Sequence, residues 1–133
     1  MPFLRERYSM PFMDASTLYA LSGIIGLALL SVLYQVLSAR KKRRLEEKMA
    51  SKPKVIDVRT PKEYRQDHFP GAVNIPLQKL YLDPKKVGPK DKTIVLYCQS
   101  GGRARRAKRI LKAYGYKDVT NGGGLSKIKG FAE

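Results

Sequence analysis

The sequence predicts a small α/β domain built on a parallel sheet and preceded by one membrane-spanning helix. Three observations carry this. Leu18 to Leu37 is a twenty-residue apolar run without a charge. From residue 54 onward, short β-prone runs alternate with helix-like segments, the pattern of strand–helix–strand crossovers. The run Thr93–Tyr97 (TIVLY) is continuously β-prone, as suits a central buried strand.

The apolar run, LYALSGIIGLALLSVLYQVL, has only Ser22, Ser31 and Gln35 as clearly polar side chains. Twenty helical residues rise roughly 30 Å, the thickness of a bilayer's hydrocarbon core. Tyr19 and Tyr34 lie near its ends, where amphipathic rings favour the interface. Ser22 and Gly26 form a small-xxx-small pair, a weak helix-packing signal. A buried core helix would need a domain large enough to wrap an all-round apolar surface, and this chain has no such domain. A cleaved signal peptide carries its basic cluster before the apolar run, with small residues at the cut. Here the cluster Arg40-Lys41-Lys42-Arg43-Arg44 follows it, and Leu37 stands where a small residue belongs. The reading is therefore an irregular tail over 1–17, a transmembrane helix over 18–38 and a basic linker over 39–53. Residues 54–133 remain to fold as the domain. Lysine and arginine stay cytoplasmic, so the C-terminal domain is expected there.

Each element of the domain has a local cause. Val55–Val58 reads as a strand. Thr60-Pro61-Lys62-Glu63 is a capping box with proline at the first helical position, so a helix opens at Pro61, and Pro70-Gly71 stops it. Ala72–Ile75 is a second strand, Leu77–Leu82 a helical turn and Pro84–Lys92 a loop. After the TIVLY strand, Arg103–Tyr114 is an amphipathic helix with Ala104, Ala107, Ile110, Leu111 and Tyr114 on one face, ended by Gly115. Asp118–Asn121 is a strand, Gly122–Gly124 a loop and Leu125–Lys129 a last turn of helix. The linker is polar, with Leu45–Met49 able to continue the preceding helix.

The formal charge is +16 and unevenly placed. Residues 40–51 hold six basic and two acidic residues, and residues 52–133 hold 19 and 7. Such a surface implies anionic partners: small anions, phospholipid headgroups or nucleic acid. Six of the basic residues crowd the 103–114 helix, but no recognition fold or aromatic platform accompanies them, so nucleic acid is not expected as a partner. A solvated basic face near anionic lipid is the simpler reading. One cysteine and one histidine, Cys98 and His68, leave no plausible zinc set, and no cofactor is expected. The triple glycine is not followed by Gly-Lys-Ser/Thr, so it is no nucleotide loop.

Cys98 lies where TIVLY ends, before Gln99-Ser100-Gly101-Gly102-Arg103 opens the next helix. In parallel α/β sheets, ligands bind outside the carboxyl ends of the strands. Gly101 and Gly102 free the backbone to turn N–H groups inward, the helix end adds partial positive charge, and Arg103 adds a full one. This cradle binds an anion and favours thiolate over thiol. A buried structural cysteine is the bland alternative, against which the loop position argues.

Three stretches together resemble the rhodanese-like family. Val55-Ile56-Asp57-Val58-Arg59, with Glu63, His68 and Phe69-Pro70-Gly71-Ala72-Val73-Asn74-Ile75-Pro76, is similar to its opening signature. Cys98-Gln99-Ser100-Gly101-Gly102-Arg103 resembles its active-site loop, C-x-x-G-x-R. Gly115-Tyr116 to Val119 and Asn121-Gly122-Gly123-Gly124 resembles its closing strand and glycine loop. The resemblance implies a sulfurtransferase whose Cys98 becomes persulfidated during turnover. It implies that Asp57 and Arg59 brace the active-site region, that Arg103 helps hold the loop and its anionic ligand, and that His68 is structural. The donor would be a small sulfur anion such as thiosulfate, and the acceptor an external thiol or cyanide, since no second cysteine can resolve the persulfide.

Two rivals stand beside this reading. Phosphatases and arsenate reductases of related fold need five residues between cysteine and arginine to wrap a tetrahedral oxyanion; here only four intervene. A non-enzymatic rhodanese-fold module tethered to the membrane is the other, against which the intact cysteine loop argues.

Overall fold

The computed structural model describes residues 14–132, so most of the 1–17 tail lies outside the described residues. The chain divides into two compact units, Met1–Arg40 and Lys41–Glu133. Helix α1 runs Ala15–Ala50. Its backbone begins on Asp14, whose carbonyl accepts from the Thr17 and Leu18 N–H groups. Within the first unit the apolar side chains from Leu18 to Leu37 are exposed all round, Leu27 at 70% and Leu29 at 65%. The helix is long and apolar enough to cross a membrane.

The second unit is a four-stranded, wholly parallel sheet of order β2-β1-β3-β4. Its strands are β1 (Lys54–Asp57), β2 (Val73–Asn74), β3 (Ile94–Cys98) and β4 (Val119–Gly124). Between them lie α2 (Pro61–Gln66), α3 (Leu77–Leu82), a 3-10 turn over Pro84–Val87 and α4 (Gly102–Ala113), and α5 (Leu125–Lys129) follows β4. All five residues of β3 are buried. Their alternation sorts them onto two faces. Ile94, Leu96 and Cys98 join Ile56, Leu80, Ala104, Ala107 and Leu111 in the core beneath α3 and α4. Val95 and Tyr97 join Phe69, Ala72, Leu125 and Ile128 on the other face. Both faces of the strand are covered, which is why it reads as an unbroken apolar run.

The capping box forms as the sequence predicts. Thr60 Oγ1 accepts from the Glu63 N–H at 3.3 Å, and Glu63 Oε2 accepts from the Thr60 N–H at 3.0 Å. Gly115 ends α4 with φ +91°, a conformation that favours glycine.

Two segments differ from the sequence reading. Residues 41–50 fall in the linker of the sequence reading; the helix continues through Leu45–Met49 as that reading allows, but the segment belongs to the folded unit: Leu45 is 2% exposed in the core with Val55 and Val95, and Met49 packs beside it. Lys48 Nζ meets Asp118 Oδ2 at 2.5 Å. The cause is the i, i+4 spacing of Leu45 and Met49, which gives an otherwise charged helix one short apolar stripe. Gly122–Gly124, expected as a loop, instead extend β4: Gly123 pairs with Tyr97 and Gly124 with Cys98, after a register shift at Leu96/Tyr97. Glycines are poor strand formers, so propensity alone misreads them. They are there for space: a Cβ on Gly122 would lie 2.7 Å from Ile128 Cδ1, and one on Gly124 2.6 Å from the Gln99 carbonyl oxygen.

Candidate active site

Cys98 is the last residue of β3, at the carboxyl edge of the sheet, and 1% exposed. Residues 99–101 cross from the strand to α4, which Gly101 caps in the left-handed region at φ +96°. This conformation, accessible to glycine, turns the Gly101 N–H back onto the Cys98 Sγ, 3.0 Å away. Burial pushes the thiol up, but the backbone N–H groups of Ala104, Ser100, Gly101 and Arg103 outweigh it, and the net shift is downward. The cradle is thus the first turn of α4 together with the loop, holding negative charge on sulfur with preorganised dipoles.

Arg103 does not stand free over the loop. Its guanidinium makes a two-pronged pair with Glu63 of α2, Nη1–Oε2 2.8 Å and Nη2–Oε1 2.7 Å. The arginine holds the Glu63 carboxyl far below the usual carboxylate range, with Thr60 adding to it. Glu63 in turn raises Arg103, as does the nearby Cys98 sulfur. The pair is about one-third exposed.

Asp57 and Arg59 form a second, buried layer, 0% and 3% exposed. Arg59 Nη2 donates to Asp57 Oδ2 at 2.7 Å, and its Nε lies 3.0 Å from both carboxylate oxygens. The guanidinium also donates to the Asp67 carbonyl at 2.5 Å and to Gln99 Oε1 at 3.3 Å. Its Cζ lies 5.7 Å from the Tyr97 ring centre. Through Gln99 this layer touches the Cys98 loop. A buried pair of this kind needs all its donors met, and no described buried side-chain polar atom here lacks a partner.

Of the residues singled out in sequence, Cys98, Gly101 and Arg103 converge on the sulfur, and Asp57, Arg59 and Gln99 form one network. Ser100 and Gly102 are exposed, and a Cβ on Gly102 would meet nothing within 4 Å. His68 is exposed, stacked on Tyr64 with centroids 4.0 Å apart. Sequence reasoning missed three supports. Glu63 reads in the sequence as a cap and as part of the opening signature, not as the partner of Arg103. Asn121 Nδ2 donates to the Gly101 carbonyl at 3.1 Å, and its Oδ1 accepts from the Gly123 N–H at 2.8 Å, tying β4 to the loop. Asn74 Nδ2 donates to the Asp57 and Arg59 carbonyls at 3.1 and 2.9 Å. Asn74 inside a short strand and Asn121 at the head of a glycine run are the local signals, and they read equally as turn chemistry.

The chain is similar to known proteins in sequence and in fold. The chain is 43% identical over 74 residues to the thiosulfate sulfurtransferase PspE of Escherichia coli, spanning 55% of this chain and 71% of PspE. A solved structure described as a rhodanese with anions from E. coli is 41% identical and superposes with TM-score 0.53, covering 56% of this chain and 89% of the other. The human single-domain sulfurtransferase TSTD1 is 25% identical with TM-score 0.56, covering 68% and 93%. The sequence model of the rhodanese-like domain matches residues 41–130. That span takes in the buried Leu45 turn, every strand of the sheet and the Cys98 loop, and the chain belongs to the rhodanese-like domain family.

Proposed function

We propose that the protein is a sulfurtransferase that carries sulfane sulfur as a persulfide on Cys98, held in a membrane by Leu18–Leu37 with its domain in the cytoplasm. The observation that carries the chemistry is the Cys98 Sγ at the head of α4, receiving the Gly101 N–H at 3.0 Å with its thiol shifted toward thiolate. Sulfurtransferases among its relatives support the same reading.

In the first half-reaction the Cys98 thiolate attacks the outer sulfur of thiosulfate or of a persulfide donor. A new S–S bond forms to Cys98, the donor's own S–S bond breaks, and sulfite or a thiolate leaves with the electron pair. The leaving group is a stable anion, so no strong general acid is needed. The loop N–H groups then face the anionic persulfide, as preorganised donors face an oxyanion. In the second half, an external thiolate or cyanide attacks the outer sulfur and Cys98 leaves as thiolate. Arg103, already neutralised by Glu63, orders the loop and lends directional attraction to the donor without leaving a bare positive charge.

The test is intact mass spectrometry of the full chain in detergent, with and without thiosulfate. A gain of one sulfur atom on wild type and none on Cys98→Ser is expected. Transfer to cyanide should then follow ping-pong kinetics. Arg103→Ala should reduce turnover about tenfold to a hundredfold, the loss of one charge-assisted contact of roughly 1.5–3 kcal/mol. Equal transfer by wild type and Cys98→Ser, or no persulfide with any sulfane donor, would leave a tethered binding module instead.

A further inference from the structure

The basic run Arg40–Arg44 is not one uniform charge cloud. Lys42 and Arg43 pair along the helix with Glu46 and Glu47, at 3.8 and 3.4 Å. Lys41 and Arg44 have no carboxylate within salt-bridge distance among the described residues, and they line a cleft of about 450 Å³ within the folded unit. Across the cleft, α4 presents Arg105, Lys108 and Lys112, spaced i, i+3, i+7 and so on one face. Lys117 and Lys127 complete the wall. Asp118, the carboxylate of the lining, is already engaged by Lys48 and by Thr93 Oγ1 at 2.8 Å. Like charges gathered from separate segments around one concavity repel each other, and an anion seated among them would relieve that repulsion.

We infer that this cleft binds the phosphate of an anionic phospholipid headgroup. The lipid source follows from the chain: Lys41 and Arg44 come four and seven residues after Leu37, the end of the apolar run. The inference rests on the reading of Leu18–Leu37 as a membrane span, for a bilayer that holds this run ends within about two helical turns of Lys41 and Arg44 along the chain. Basic residues close to an anionic surface each strengthen attachment about fivefold.

The test uses the full chain in non-ionic detergent, titrated with short-chain phosphatidylglycerol, short-chain phosphatidylcholine or inorganic phosphate, with adducts counted by native mass spectrometry. Phosphatidylglycerol should bind, phosphatidylcholine should not, and added salt should weaken the binding. Lys41→Gln/Arg44→Gln should lose about 25-fold, as should Lys108→Gln/Lys112→Gln, each with an unchanged melting curve. Lys42→Gln/Arg43→Gln removes the same charge from outside the cleft and should lose less than threefold. Equal loss in all three variants would reduce the cleft to general charge and overturn the inference. So would equal binding of both lipids, or inorganic phosphate competing as well as phosphatidylglycerol. Alkaline carbonate extraction of the chain from membranes reports separately on the span: a chain that washes off sinks the membrane reading, whatever the titration shows.

Discussion

Gly124→Ala should disable the Cys98 loop from a strand that does not contain it. The added Cβ would stand 2.6 Å from the Gln99 carbonyl oxygen and 3.5 Å from Ser100 Cα. A carbon–oxygen contact settles at about 3.3 Å or more, so backbone on one side must move by roughly 0.7 Å. Both sides are pinned. Gly124 is paired with Cys98 in the sheet, and Gln99 follows Cys98 directly. Overpacking of this kind costs about 1–3 kcal/mol. The displacement falls on the loop that aims the Gly101 N–H at sulfur, so the thiol should move back toward its ordinary value. A shift of this size at a reacting centre costs up to about a hundredfold in rate. The control is Gly102→Ala at the first residue of α4, whose Cβ would meet nothing within 4 Å and which should change stability by less than about 0.5 kcal/mol. The assay is the pH dependence of iodoacetamide alkylation at Cys98, the only cysteine, together with a thermal melt. An unchanged alkylation profile in Gly124→Ala, or equal damage from Gly102→Ala, would refute the close-approach argument.

Other outcomes follow from the same structure. Since the folded Cys98 thiol sits below its unfolded value, its contribution to stability is present above the ordinary thiol pKa and lost as pH falls through the folded one. The stability of wild type relative to Cys98→Ser should therefore climb across that window, and a pH-independent difference in denaturation midpoints would contradict it. Leu45→Ala should cost about 2–5 kcal/mol, because the side chain is 2% exposed in the core; an unaltered melting temperature would mean that the helix end does not pack there. Reporters fused to the C-terminus should be active only on the cytoplasmic side, and replacing Arg40–Arg44 with neutral residues should weaken that preference; an externally active reporter would reverse the proposed topology.

Local chemistry alone identified several features of this protein. The capping box at Thr60–Glu63, the glycine stop at Gly115 and the all-apolar β3 each depend on neighbours a few residues away, and each forms where the sequence places it. The same holds for Cys98 at a strand–loop–helix junction, because a strand run, glycines and a helix start are all local signals. What tertiary structure decided depends on partners distant in the chain. Glu63 doubles as cap and as the mate of Arg103, forty residues on. Asn121 reaches back twenty residues to hold Gly101. Gly122 and Gly124 are glycines because Ile128 and Gln99 occupy the space a side chain would need, and propensity, which knows nothing of neighbours across a sheet, reads them as a loop. Leu45 is one apolar residue within a charged helix, and only the cavity it fills makes it core rather than linker. The reason is common to all four. Helix caps, turns and strand runs are set by contacts within a few residues, whereas space and charge partners are set by whatever the fold brings alongside.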